Sequence, residues 1–232
     1  MKNCPDLTTI ISYSSGVLGS SFATLVSSHI EKCEHCKKNI EQCHEMGGGL
    51  LESTEDNSLA SNSYAIFLER LKESENETRN TRTPVIFDKS SEVPISLQRH
   101  IGKDLRSLKW SFLAPGIKKC SVKLDGPEDK HLTFLKIKSK KKIPEHSHLG
   151  SELTLVLKGS FDDENGRYVA GDIADHDHTT KHEPVVSSKE EEMCLRPDLT
   201  IPTCQKFLKD NKKFDQAKLC YSGPIFRSSS AS

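Results

Sequence analysis

The segment H-I-E-K-C-E-H-C places an imidazole and two thiols, His29, Cys33 and Cys36, within eight residues. Imidazole nitrogen and thiolate sulfur are the donors that zinc takes in closed, four-coordinate structural sites. On a single helix, offsets of four and seven residues return to nearly one face, so the spacing predicts that all three converge. Three donors leave one place to fill. Cys4, His35, Cys43 and His44 are the available candidates. His35 would point to the opposite helical face, whereas Cys4 sits just ahead of the first helix and can fold back, which makes it the preferred fourth ligand. The bland alternative is a surface histidine beside two free thiols. A Cys-x-x-Cys pair can also be redox-active, but the βαβ surroundings of a thioredoxin are missing.

A second cluster of different character follows more than a hundred residues later, in P-E-H-S-H-L-G-S-E-L-T-L-V-L-K-G, residues 144–159. Residues i and i+2 of an extended chain share a face, so His146 and His148 can enter one interior. Glu152 opens the apolar run L-T-L-V-L and reaches the same space. Further on, Val169-Ala170-Gly171-Asp172 forms a turn, and His176, His178 and His182 come after it. Of the three, His182 opens His182-Glu183-Pro184-Val185, which reads as the start of a closing strand. His176 and His178 lie in a run rich in Asp and Thr that reads as loop. Three imidazoles and a carboxylate suit zinc or another divalent first-row metal without selecting one.

Two kinds of chain must hold these clusters. Residues 7–46 read as helical, with Leu7, Ile10 and Ile11 in one stretch and Phe22, Leu25, Val26, His29 and Ile30 recurring at helical spacing in the next. Gly47-Gly48-Gly49 is expected to end this part, since three glycines are costly inside a helix. A further helix is expected over Ser63 to Glu73, where Tyr64, Phe67, Leu68 and Leu71 form a stripe. Such a stripe is most simply core; on the polar tether Glu52 to Asn62 it could instead dock onto a partner. Residues 74–94 are polar, contain two prolines and show no sustained periodicity, which reads as linker. Beyond them the period changes from 3.6 to 2. Short strands are expected at Lys109–Leu113, Ile117–Leu124, Leu132–Ile137, Glu152–Lys158 and Gly166–Val169, a spacing that fits an all-β sandwich or barrel. Phe207 to Ser232 is expected to give a short helix and a frayed tail.

The fold class is therefore two domains, a small all-α metal-binding domain and an all-β barrel. The expected boundaries are 1–75 for the helical domain, 76–94 for the linker, 95–205 for the barrel and 206–232 for the tail. Bulk composition agrees: 34% of the residues are hydrophobic and 28% charged, so the cores are small. No apolar run approaches the roughly 20 residues that span a bilayer, and the first residues lack the layout of a secretory signal. Cytoplasm is the expected location, and there eight cysteines read as metal ligands or free thiols rather than disulfides. Net charge is zero, but residues 1–75 carry 11 acidic and 6 basic side chains, so the first third has a net charge of −5. That excess is a poor match for DNA phosphates and suits a basic protein partner.

The pattern H-x3-C-x2-C on a small helical domain with an upstream ligand resembles the zinc-binding anti-sigma factors. The segment H-x-H, then Glu152, then Gly159, resembles the first motif of the cupins, small β-barrels (double-stranded β-helices) that hold a metal in the mouth. The glycine usual before the first histidine is absent, with Lys140 to Lys142 in that region, and the second motif keeps Gly171-Asp172 without its proline. Together the two parts resemble the ChrR-type anti-sigma factors over nearly the whole chain. The resemblance implies a regulator of transcription, with no enzymatic activity. Its helical domain would sequester an extracytoplasmic-function-type sigma factor through zinc at Cys4, His29, Cys33 and Cys36. Its cupin, with metal at His146, His148, Glu152 and His182, would be needed for release under stress, often photo-oxidative stress such as singlet oxygen in that family. The main rival is a metal-dependent, dioxygenase-like cupin enzyme with an accessory zinc domain. Against it, no second acid–base pair stands beside the motif. A DNA-binding zinc regulator is disfavoured by the acidic first third.

Overall fold

A computed structural model describes residues 3–54, 60–79, 87–124, 131–145, 152–177, 179–189 and 191–197. His146, His148, His178 and the tail after Pro197, with Cys204 and Cys220, lie outside the described residues.

The first third is helical. Helix α1 (Leu7–Ser14) starts at Asp6, whose carboxylate accepts from the Thr9 amide at 2.6 Å and so satisfies one of the donors left over at a helix start. Helix α2 (Ser20–Ile30) buries Leu25, Val26, Ser28 and His29. Helix α3 (Glu34–Glu52) follows after a tight turn. His29 and Cys36 therefore lie on different helices, and the expectation of one continuous helical face is corrected. The turn is closed by the Lys32 and Cys33 amides, which donate to the carbonyls of His29 and Ile30 at 3.1 and 3.2 Å. The triple glycine does not end the helix either. Helix α3 runs through Gly47-Gly48-Gly49 and stops where the hydroxyls of Ser53 and Thr54 donate to the carbonyls of Leu50 and Leu51, each at 2.7 Å. Each glycine costs about 1 kcal/mol relative to alanine, a penalty the 19-residue hydrogen-bond ladder of α3 absorbs. Helix α4 (Ser63–Arg79) continues past Glu73, where the apolar stripe gives out.

Helix α5 (Ile95–Ile101) opens the second part and, among the described residues, is followed by nine strands. These are β1 (Ser111–Ala114), β2 (Ile117–Lys123), β3 (His131–Ile137), β4 (Glu152–Lys158), β5 (Ser160–Asp163), β6 (Gly166–Val169), β7 (Ile173–His176), β8 (Val185–Val186) and β9 (Glu192–Pro197). An antiparallel six-stranded sheet has the order β1-β2-β3-β9-β4-β7, and a smaller sheet, β6-β5-β8, lies beside it. The larger sheet is covered on both faces, which explains why the first five residues of β4 are all buried instead of alternating. Leu153 and Leu155 of β4, with Met193 and Leu195 of β9, join Leu25 and Val26 of α2 and Leu97 of α5 in one apolar cluster. From the same strands Glu152, Thr154, Glu192, Cys194 and Arg196 line a cavity on the opposite side. Burial of each such leucine contributes roughly 1.5–3 kcal/mol, so the helical part and the barrel are held together as one packed body.

Polar bonds fix the register of that packing. The Glu31 carboxylate accepts from the Ile95 and Ser96 amides, both at 2.8 Å, and so caps the start of α5. Asp175 on β7 accepts from the Asp6 amide and the Thr9 hydroxyl at 3.0 Å each, and the Ile173 amide donates to the Asn3 carbonyl at 3.1 Å.

Two predictions follow from this core. Gly159 joins β4 to β5 at φ +85°, and a Cβ there would lie 3.1 Å from the Glu192 Cα. Gly159→Ala is expected to lower stability by at least about 1–2 kcal/mol, the cost of a left-handed alanine alone, in denaturant unfolding. Glu192 has a buried Oε2 without a hydrogen-bond partner among the described residues, and burial pushes its carboxyl up from 4.5 to about 8. The folded chain thus keeps a proton that the unfolded chain releases, and stability present below about pH 4.5 is lost as the pH rises through about 8. Glu192→Gln should flatten the dependence of the melting temperature on pH across that window.

Candidate metal centres

Four donors converge where the N-terminal segment meets the start of α3. The side-chain donor atoms of Cys4, His29, Cys33 and Cys36 all lie within 4.8 Å of one another. The Cys4 and Cys33 sulfurs are 3.7 Å apart, and the Cys36 sulfur is 3.4 Å from His29 Nε2. His29 is fully buried, and Cys33 and Cys36 are buried beside it. Each donor reaches the point from a different piece of chain: Cys4 before α1, His29 in the last turn of α2, Cys33 at the cap of α3 and Cys36 in its first turn. His35 is exposed on the other side of α3, within 3.4 Å of the Asn39 amide, and Cys43 is half-buried farther along the helix.

The proton on His29 is fixed by its partner. A carbonyl only accepts, so the contact of 2.6 Å between His29 Nδ1 and the Gly171 oxygen places the hydrogen on Nδ1 and turns the Nε2 lone pair toward the thiols. The three thiols differ. Burial raises Cys4, and it drives Cys36 well above the ordinary thiol range. For Cys33 burial is outweighed by hydrogen bonds from the Cys36 amide and the neighbouring thiols, and its pKa falls. Three thiols this close, two of them buried, cannot all ionise side by side without a cation among them. A cluster of this make-up could hold a metal ion.

The second candidate centre lies in the barrel. Glu152 begins β4, is buried, accepts from the Thr154 hydroxyl at 3.1 Å, and pairs with the Arg196 guanidinium of β9. His182 is buried with Nε2 3.8 Å from Glu152 Oε2, so two of the four residues predicted for this site stand next to each other. His176 departs from expectation. It is not in a loop: it ends β7 opposite Glu152 in the register of β4 and β7, and it is buried. The four-residue alternation of β7 turns Asp175 out toward α1 and His176 inward. Asp163 was not singled out by the sequence. Its Oδ1 accepts from the Asn165 and Gly166 amides at 2.8 and 3.2 Å, the contacts of an ordinary turn residue. Its Oδ2, however, lies 3.3 Å from His182 Nδ1 and 3.5 Å from His176 Nε2. Burial opposes ionisation of Asp163, but hydrogen bonds from His182 and the Asn165 amide outweigh it and hold its pKa low. Arg196 is largely removed from solvent, and that desolvation lowers its pKa to about 10, which still leaves it charged at neutral pH.

Residues 98–199 match the ChrR cupin-like domain family. The chain is 29% identical over 187 residues to the anti-sigma-E factor ChrR of Cereibacter sphaeroides, spanning 80% of this chain and 84% of the relative. The crystal structure of Rhodobacter sphaeroides SigE in complex with the anti-sigma ChrR contains a chain that superposes with a TM-score of 0.69 at 26% identity. That superposition covers 84% of this chain and 98% of the other. Through its helical part and its cupin-like barrel alike, the chain resembles the ChrR-type anti-sigma factors.

Proposed function

We propose that this chain is a cytoplasmic anti-sigma factor that sequesters an extracytoplasmic-function-type sigma factor through its N-terminal helices. The observation that carries this reading is the shared architecture with ChrR, a chain captured in complex with SigE, over 84% of the present chain. The surface is consistent with it. Tyr64, Phe67 and Leu71 of α4 are 72%, 56% and 42% exposed, and Met46, Leu50 and Leu51 of α3 are about as open, so the apolar stripe on the tethered helix is not core. The acidic excess of this region suits a partner with basic surfaces. The barrel is read as regulatory rather than catalytic, since the relative aligned with both parts is an anti-sigma factor.

In this reading zinc holds the helices at Cys4, His29, Cys33 and Cys36. Around a tetrahedral ion with Zn–S about 2.3 Å and Zn–N about 2.0 Å, neighbouring sulfurs lie about 3.8 Å apart and sulfur and nitrogen about 3.5 Å. The distances of 3.7 and 3.4 Å between donors support the fit. The barrel, with zinc or another divalent metal at Glu152 and His182 together with His146 and His148, answers a stress signal, oxidative in kind, and releases the sigma factor. A route for that answer runs along β7. Its inward residue, His176, stands in the barrel cluster, its outward residue, Asp175, holds α1, and the turn before it presents the Gly171 carbonyl to His29.

Transcription in vitro by RNA polymerase carrying the host's sigma factor tests the first claim. Wild-type chain should inhibit it, and Cys33→Ser, which removes one thiolate, should lose both its zinc and at least about tenfold in inhibition; a Cys33→Ser variant that inhibits fully would contradict the assignment. His148→Ala should leave binding intact and block release on oxidative challenge. Constitutive loss of the complex in that variant would contradict the division of labour between the two parts.

A further inference from the structure

The His182 ring stands between two carboxylates, with Nε2 toward Glu152 at 3.8 Å and Nδ1 toward Asp163 at 3.3 Å. On the Glu152 side a cation is already present, because Arg196 pairs with that carboxylate. The Asp163 side is different. Its side chain is fully buried, and none of its partners among the described residues is a lysine or arginine. Oδ2 is left to face two imidazole nitrogens, and the donor atoms of Asp163, His176 and His182 lie within 4.8 Å of one another. The Asn165 side-chain amide and the Tyr168 hydroxyl stand 3.3 and 3.4 Å from His176 Nε2, the same nitrogen that faces Asp163 Oδ2, so the ring edge is held at the cluster by polar contacts.

We propose that Asp163, His176 and His182 form a second metal seat in the barrel, separate from the one built on Glu152 and the His146-x-His148 motif. One carboxylate and two imidazoles are the donor set of open sites for first-row divalent metals such as zinc or iron(II). Around an ion with oxygen and nitrogen at about 2.0–2.1 Å, neighbouring donors in a tetrahedron lie about 3.3–3.4 Å apart. The observed separations from Asp163 Oδ2 are 3.3 and 3.5 Å. A neutral imidazole binds one metal through one nitrogen, with the proton on the other. His182 therefore serves one seat at a time, and the two seats are alternative positions for a single barrel ion. His176 belongs to β7, so an ion in the second seat pulls directly on the strand that carries Asp175 and the Gly171 turn. The second seat holds its ion whether or not the chain binds a sigma factor.

Metal content of the full-length chain tests it. After loading with zinc and removal of free ion, wild type should carry two ions, one among the thiols and one in the barrel. The double variant His146→Ala/His148→Ala should still carry two. Adding His176→Ala or the isosteric Asp163→Asn should leave one and weaken barrel binding at least about tenfold. Cobalt(II) separates the positions, since thiolate ligation gives intense charge-transfer absorption and the oxygen–nitrogen seat does not. Thermal unfolding checks that each variant is folded, and Asp163→Asn serves where His176→Ala is not. A double variant holding only the thiol-bound ion, or a folded triple variant still holding two, overturns the second seat.

Discussion

The bond between His29 and the Gly171 carbonyl is where the two halves of the molecule depend on each other. His29 is completely buried at the end of α2, with one nitrogen 2.6 Å from a carbonyl of the barrel and the other facing the thiols. The carbonyl can only accept, and so decides which nitrogen is protonated and which is offered to a metal. Without that partner the ring would be free to choose the other tautomer, and the four-donor cluster would lose one lone pair. A barrel turn thus sets the tautomer of a histidine in the candidate metal centre. The adjoining contacts, Asn3 to Ile173 and Asp6 and Thr9 to Asp175, hold the same stretch of chain against the same strand.

The sheet between the two centres is used on both sides. Along β4 and β9, alternate residues enter the apolar cluster beneath α2 and α5 and the polar interior of the barrel. Leu153, Leu155 and Leu195 anchor the helices, while Glu152, Glu192 and Arg196 populate the cavity, each beside a residue of the other kind. A shift of either strand along its axis would disturb both faces at once, because neighbouring side chains point to opposite sides. Packing of this kind is stiff and couples a local change in the cavity to the helices behind it. Any such coupling must still act by favouring one of two arrangements of the molecule.

Some of this was legible in the residues alone. The thiol and imidazole types around residue 30 pointed to a cluster of metal-ligating groups without any structure, and the structure brings four such side chains together. Their path to it was not legible: seven residues on one helix and seven across a tight turn bring His29 and Cys36 equally close. The glycines at 47–49 were read as a stop from backbone entropy, but the stop is made by the hydroxyls of Ser53 and Thr54 closing on the last carbonyls. Longer strands such as β2, β3 and β4 were marked by their length between Gly, Pro and Asp turns. The strands β5, β7 and β8, of two to four residues, gave no such mark. That is why His176 looked like a loop residue and why Asp163, in the turn-like sequence D-E-N-G, gave no signal of its place beside two imidazoles.

The central claim is that the chain binds a sigma factor. Its most direct test is capture of partners from the native host by the tagged full-length chain in the presence of zinc, with mass spectrometry to identify what is retained. The account predicts one extracytoplasmic-function-type sigma factor in near-equal amount with the bait. A folded, metal-loaded bait that retains no sigma factor would contradict it and return the barrel to consideration as an enzyme or ligand-binding module.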